Sequence, residues 1–352
     1  MRFAVRMGVG WSVVDLFCGA GGLSHGFRRA GFNIAAGVDA DPTCGHAFEH
    51  NNQGVFVVRQ IEHMPAEEID ALYPKGKSRV LIGCAPCAPF SAYTPKHKQL
   101  RSGKWSLLSV FADRIRQLQP EIVSMENVPR LASFDGGRVL QSFVEILAPD
   151  YHISIRKVDC REYGVPQRRV RLVLLASRLG PLNLKRPIIR ENRTVRDAIG
   201  HLPPIEHGKT HPSDPMHRAC ALSPLNLERI RASYPGGSWK DWPIDLRTRC
   251  HRRPTGRSYT NVYGRMAWNQ AAPTITTGCL TFGRGRFGHP EQDRAISLRE
   301  AALLQTFPPD YSFVAANNTV NVAQVARHIG NAVPVALGEA IAQSITCHIE
   351  EN

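Results

Sequence analysis

Short apolar runs recur through the first half of the chain, at residues 13–17, 34–38, 55–58, 80–82, 122–125, 153–158 and 170–176. Each is rich in Val, Ile or Leu and too short for a helix, so each reads as a buried strand. Residues 23–30 and 107–118 between them place apolar side chains three and four positions apart, the spacing of amphipathic helices. Strand–helix alternation predicts an α/β fold built on a doubly wound, mostly parallel sheet covered on both faces. Ligands of such sheets bind beyond the carboxyl ends of the strands. The glycine-rich turn after Phe17, Asp39, the Pro86-Cys87 turn and Glu126 all fall at run ends, so one edge of the sheet is expected to gather them.

The texture changes after Ala176. Residues 178–290 are rich in Pro, Gly, Arg and His and dense in turn signals such as Leu202-Pro203-Pro204 and Tyr234-Pro235-Gly236-Gly237. They predict a smaller, irregular domain. Helical spacing returns from Ser297, and a last helix is expected from residue 334 to about residue 348, with proline in its first turn. Its apolar positions Val335, Ala342 and Ile345 need a partner face. The predicted organisation is therefore a first domain of residues 1–177 completed by 322–352, a second domain of 178–290, and a connecting segment of 291–321.

Charge sharpens this division. The 352 residues carry 44 Lys plus Arg against 30 Asp plus Glu, a net charge of +14. Residues 178–290 hold 19 basic and 7 acidic side chains, net +12, so the excess is concentrated there. A concentrated basic segment suits a polyanionic partner bound through its phosphates. No apolar run approaches the roughly 20 residues that span a bilayer. The first residues, with Arg2 and Arg6, have neither a long apolar core nor a small-residue cleavage site, which predicts a cytoplasmic protein. The nine cysteines are scattered except for Cys84 and Cys87. That distribution argues against a disulfide framework, and the lack of a second pair argues against a zinc site, so no metal is expected.

The glycine-rich turn reads Asp15-Leu16-Phe17-Cys18-Gly19-Ala20-Gly21-Gly22. Glycines between a strand and a helix let backbone approach a cofactor closely. Ser24 stands where a dinucleotide fingerprint would place its third glycine, and the turn alone fits several nucleotide-like cofactors. Asp39 reads either as an acceptor for ribose hydroxyls or as a turn residue before Asp41-Pro42. Cys87, after a rigidifying Pro86, is a candidate nucleophile. The polar, basic stretch 92–104 after it reads as a DNA-facing loop or a solvated one. Glu126 ends an apolar strand, where desolvation favours a carboxyl able to donate a proton. Strand alternation would put Gln167, Arg169 and Arg171 on one face, suited to a phosphate or a base edge.

Taken with Ala272-Pro273-Thr274-Ile275-Thr276-Thr277, Leu298-Arg299-Glu300, Leu304-Gln305-Thr306-Phe307-Pro308 and Gly330-Asn331-Ala332-Val333-Pro334, these stretches resemble, in order and over nearly the whole chain, the bacterial-type DNA (cytosine-5)-methyltransferases. The resemblance implies S-adenosyl-L-methionine as cofactor and double-stranded DNA as partner. It implies that Cys87 adds to carbon 6 of a flipped-out cytosine, that Glu126 acts at N3, and that Arg169 helps hold the base. It assigns Phe17, Gly19, Gly21, Gly22, Asp39, Gln60 and Asn331 to the cofactor pocket. Pro86, Ser91, Asn127, Gln167, Arg171 and Thr276 fall to the substrate side. Residues 178–290 correspond to the target-recognition domain. With no long extension at either end a monomer is expected, and a cognate restriction endonuclease is a further candidate partner. Two positions depart from the family pattern: Ala88 replaces a usual Gln, and Gln60 replaces a usual Asp at the cofactor's adenine. Transfer to tRNA, a catalytically weak DNA-binding protein and a nicotinamide-dependent oxidoreductase are the competing readings. The basic middle segment opposes the first, Cys87 and Glu126 the second, and the displaced third glycine the last.

Overall fold

The computed structural model describes residues 10–86, 106–188, 192–256, 258 and 260–352. Every apolar run named above forms a strand. They are β1 (Trp11–Leu16), β2 (Asn33–Asp39), β3 (Val55–Val58), β4 (Ser78–Gly83), β5 (Ile122–Asn127), β6 (His152–Asp159) and β8 (Val170–Ser177), with a two-residue strand β7 (Gln167–Arg168) between the last two. The seven long strands make one sheet in the order β3-β2-β1-β4-β5-β8-β6. All pairs from β3 to β5 are parallel, whereas β8 runs antiparallel to both β5 and β6. The reversal arises because β6 and β8 are joined by a short connection, not by a crossover helix.

Helices fill the crossovers: α1 (Gly22–Arg29), α2 (Gly45–Asn52), α3 (Ala66–Asp70), α4 (Ser106–Leu118) and α5 (Arg138–Leu147). Leu108, Phe111, Ala112 and Ile115 of α4, at helical spacing, join Leu140, Phe143 and Leu147 of α5 against Val14, Leu16, Leu81 and Val123 of the sheet. Burial of so many whole side chains, at roughly 1.5–3 kcal/mol each, is the main stabilising term of this layer. The C-terminal helix Val335–Glu351 buries Leu337, Ile341 and Ile345 and packs on α1. That approach is close because both helices carry glycine at the contact: a Cβ on Gly26 would collide with the backbone of Gly338 and Glu339.

The chain divides into two compact units. The first comprises the described residues up to Tyr163 together with Val170–Ile188 and Val333–Asn352. The second comprises Gly164–Arg169 and Ile189–Ala332. The discontinuous first domain is thus present, but its limits differ from those read in the sequence. Residues 291–321 are no connector, since they belong to the body of the second unit, and the helix Val322–Asn331 belongs there too. The physical reason is a buried ion pair and its surroundings. Arg294 donates to both carboxylate oxygens of Glu300 at 2.7 Å, and Glu300 also caps the helix Leu298–Leu304 through Ser297. Burial alone would raise the Glu300 carboxyl, but the hydrogen bonds from Arg294 hold it at about 2. A second core of Ile230, Trp239, Trp242, Phe282 and Ala295 supports the irregular remainder.

Candidate active site

The parallel run β2-β1-β4-β5 brings four strand ends to one edge of the sheet, as the alternation predicts. At the end of β1 the chain turns sharply. Phe17 has φ 63°, Gly19 φ 50° and Gly21 φ 82°. The two glycines sit in this left-handed region without strain, whereas Phe17 bears the extra cost of roughly 1 kcal/mol that a Cβ brings there. The Phe17 ring packs edge-on to Phe111 at 6.1 Å. A Cβ on Gly19 would meet nothing within 4 Å, so open space faces this part of the turn. Gly22 opens α1 and is buried.

Asp39, at the end of β2, accepts hydrogen bonds from the Gly19 backbone N–H at 2.8 Å and from that of Asp41 at 2.9 Å. Burial raises its carboxyl above the ordinary value. Asp15, one residue before the end of β1, gave no signal by itself in the sequence beyond an acidic residue inside an apolar run. It is 1 % exposed. Ser24 donates to its Oδ2 at 2.6 Å, which accounts for the serine in the third glycine position, while its Oδ1 is buried without a hydrogen-bond partner. Burial pushes the Asp15 carboxyl up to about 7. Burial, and then the charges of Asp15 and Asp39, push the Cys18 thiol up as well. Two carboxyl groups, Asp15 and Asp39, thus lie at this turn of a basic protein. S-adenosyl-L-methionine carries a sulfonium and an ammonium, and an orphaned carboxylate oxygen beside a glycine turn fits such a cationic group.

The Asp15 shift has a definite sign. The unfolded carboxyl ionises above about pH 4, the folded one only near pH 7, so this group subtracts stability from the cofactor-free protein as pH rises between those values. The full effect is roughly 4 kcal/mol for a shift of this size. Asp15→Asn is expected to remove it: the melting temperature of the variant relative to wild type should climb from pH 5 to pH 7 and then level off. A difference independent of pH would contradict the assignment.

At the end of β5, Glu126 is 2 % exposed. Its Oε1 lies 2.8 Å from Nε of Arg171, an ion pair rather than an aligned hydrogen bond, and the Arg171 Nη1 donates to the Val170 carbonyl at 2.7 Å. The antiparallel register explains the meeting. Glu126 faces Val173, so Arg171, two residues along β8, projects from the same face. The Cys84 thiol donates to Glu126 Oε2 at 3.0 Å. Asn127, expected at the substrate, is instead fully buried. Its Nδ2 donates to the Ala85 carbonyl at 3.1 Å and its Oδ1 accepts from the Val128 N–H at 2.9 Å. Asn127 thus fastens the turn after β4, the turn that leads through the half-buried Pro86 to Cys87. Cys87, Ala88, Ser91 and the basic stretch 92–104 lie outside the described residues.

The expected single strand from Gln167 to Arg171 does not form. The ladder breaks at Arg169, whose N–H turns back to the Gln167 carbonyl at 2.9 Å. Gln167 is fully buried, donating to the Leu304 carbonyl and Gln305 Oε1 and accepting from the Ile275 N–H. Arg169, 3 % exposed, donates to the carbonyls of Ile275 and Ala332. These two side chains hold the second unit together, and the arginine that reaches Glu126 is Arg171, not Arg169. Among the remaining expected residues, Gln60 is exposed at the head of a short turn before Ile61, while Thr276 and Asn331 are exposed in the second unit.

Within the second unit several arginines of the basic segment are structural. Arg229 lies over Trp242 and Tyr263, and Arg265 is buried against backbone carbonyls and Asp293. Others are available. Arg286 is half-buried beside Arg168, with no carboxylate pairing it among the described residues; burial and then the Arg168 charge lower its guanidinium from the ordinary value. A cavity of about 320 Å³ is lined by Trp239, Lys240, Ile244, Arg247, His251 and Arg252.

A family model for C-5 cytosine-specific DNA methylase matches residues 11–347. The chain is 50 % identical over 343 residues to the type II methylase M.HgiDII of Herpetosiphon aurantiacus, covering 96 % of each. It is 30 % identical over 354 residues to the type II methyltransferase M.PspPI of Psychrobacter sp. (strain TA137), covering 98 % of this chain and 81 % of that one. Among solved structures, a DNA modification methyltransferase encoded within an E. coli prophage superposes with a TM-score of 0.75 at 22 % identity, over 97 % of this chain and 99 % of that one. The Entamoeba histolytica methyltransferase EhMeth gives 0.67 at 16 % identity, over 96 % and 98 %. At these identities the two superpositions speak to the fold.

Proposed function

The chain belongs to the C-5 cytosine-specific DNA methylases, and on that premise we propose that it methylates cytosine within a short, specific duplex sequence through a covalent Cys87 adduct. S-adenosyl-L-methionine is the cofactor, and it supplies the methyl group. The observation that carries the finer reading is Glu126: a buried carboxylate fixed between Arg171 and Cys84 at the strand edge that also bears the glycine turn and the Pro86-Cys87 turn.

Carbon 5 of cytosine is a poor nucleophile. The Cys87 thiolate adds to carbon 6, while Glu126 hydrogen-bonds or protonates N3 and so draws electrons out of the ring. Carbon 5 then has the electron density to accept the methyl group, and loss of its proton expels the thiolate. Because the base is inaccessible inside a duplex, it must be extruded first. Asp15, Asp39 and the turn at Gly19 and Gly21 hold the cofactor, the carboxylates meeting its cationic and hydroxyl groups. Arg171, paired with Glu126, stands nearer this site than Arg169, which the resemblance had assigned to holding the base. Arg286, half-buried and with no carboxylate beside it among the described residues, and the basic cavity at Trp239 support duplex binding by the second unit, since a phosphate would supply a counter-charge. The relatives named as type II enzymes support a protective role beside a restriction endonuclease.

The test is a methylation map. Expressed in a host that lacks cytosine methylation, the protein is expected to leave 5-methylcytosine at one short recurring motif. A blank map from well-expressed, folded protein would overturn the reading.

A further inference from the structure

The geometry points to Cys84 as the positioning residue for Glu126, a thiol that keeps one carboxylate oxygen aimed at the substrate side until cytosine takes its place. The inference rests on the function proposed above and adds a residue that neither the motifs nor that mechanism uses.

A carboxylate beside an arginine tends to turn both oxygens onto the guanidinium in a two-pronged pair. Here the two oxygens have different partners. Arg171 presents Nε to Oε1 at 2.8 Å, while its Nη1 donates to the Val170 carbonyl. Oε2 is engaged instead by the Cys84 thiol at 3.0 Å. The thiol is itself held. Cys84 follows the last residue of β4, and the next residue, Ala85, is fastened by Asn127, the neighbour of Glu126 on β5. Two adjacent residues of one strand thus grip two adjacent residues of the turn.

The choice of sulfur fits a contact that must be given up. An S–H group is a weak donor. It satisfies a buried acceptor in the resting enzyme, which would otherwise bear an unmade hydrogen bond. It also yields readily when a stronger donor, the N4 amino group on the N3 side of an extruded cytosine, approaches. Glu126 is nearly inaccessible whereas Cys84, beside it, is only partly buried.

The test compares Cys84→Ala and Cys84→Ser with wild type in single-turnover methyl transfer at saturating duplex and cofactor. For Cys84→Ala the rate is expected to fall about tenfold, the loss that goes with one hydrogen bond to a charged group, with DNA and cofactor affinities unchanged. Cys84→Ser restores a donor at nearly the same place and is expected to stay within about threefold of wild type. In a Glu126→Gln background, Cys84→Ala should cost no more than about twofold further, because coupled residues are not additive. An unaltered Cys84→Ala rate, a serine variant no better than alanine, or a full tenfold loss in the Glu126→Gln background would each overturn the role while leaving the proposed function standing. Wild-type protein that transfers no methyl group to DNA would overturn both.

Discussion

Cys87→Ala is expected to abolish methyl transfer, by on the order of 10⁴-fold or more, yet to bind duplex DNA about as tightly as wild type. The asymmetry follows from what the side chain does. On the proposed mechanism its thiolate makes a bond to carbon 6 and breaks it again, and among the described residues the two nearby thiols are poor substitutes: Cys84 is engaged with Glu126, and the Cys18 thiol is pushed up by burial and by two carboxylates. On the same reading, affinity for the duplex would come from phosphate contacts by the basic segment, which the substitution does not touch. Two readouts separate these effects. Filter binding gives the affinity, and a duplex carrying 5-fluorocytosine gives the covalent step, because carbon 5 then has no proton to lose and the adduct cannot resolve. Wild type should form a denaturant-resistant complex and Cys87→Ala none. Turnover by the alanine variant would remove Cys87 from the mechanism.

Glu126→Gln should lower the single-turnover rate by roughly 10²- to 10⁴-fold, the range over which a positioned proton donor acts. Glutamine keeps the shape and an oxygen for Arg171, so the protein should remain folded and its affinity for DNA intact. Glu126→Ala is a harsher change. It leaves the Arg171 guanidinium, whose side chain is 13 % exposed, without its counter-charge, and breaking a buried pair in this way costs about 3 kcal/mol. Rates measured alongside thermal melts would therefore show two separable losses: chemistry in both variants, stability mainly in the alanine. A glutamine variant running at the wild-type rate would show that Glu126 serves Arg171 and not cytosine.

The strands and the strand-end site were legible in the sequence for a simple reason. Runs such as 55–58 and 122–125 are short, apolar and bounded by turns, and these are local properties. Parallel pairing then sends the ends of β1, β2, β4 and β5 to one edge without further information. What escaped detection depends on partners distant in the chain. Gln167 and Arg169 look like a polar strand face, and only their bonds to Ile275, Leu304 and Ala332, more than a hundred residues away, reveal them as internal staples. Asn127 looked like a substrate contact for the same reason. Asp15 and Cys84 were visible as residue types but not as roles, because a buried carboxylate and a thiol acquire their chemistry from what surrounds them. The concentration of arginines in 178–290 was a fair pointer to a polyanion, although Arg229 and Arg265 are spent on the interior.

The glycine contact between α1 and the C-terminal helix has a consequence for biosynthesis. The helix that covers α1 runs from Val335 to Glu351, so the ribosome emits it after everything else described for the sheet. A nascent chain can pair its strands, but the face of α1 around Leu23 and Gly26 stays bare until translation has passed that last stretch. The first unit would then complete its fold only once this helix has been made. A stop codon shortly before residue 335 would leave a product fit for chaperones and proteases but not for DNA.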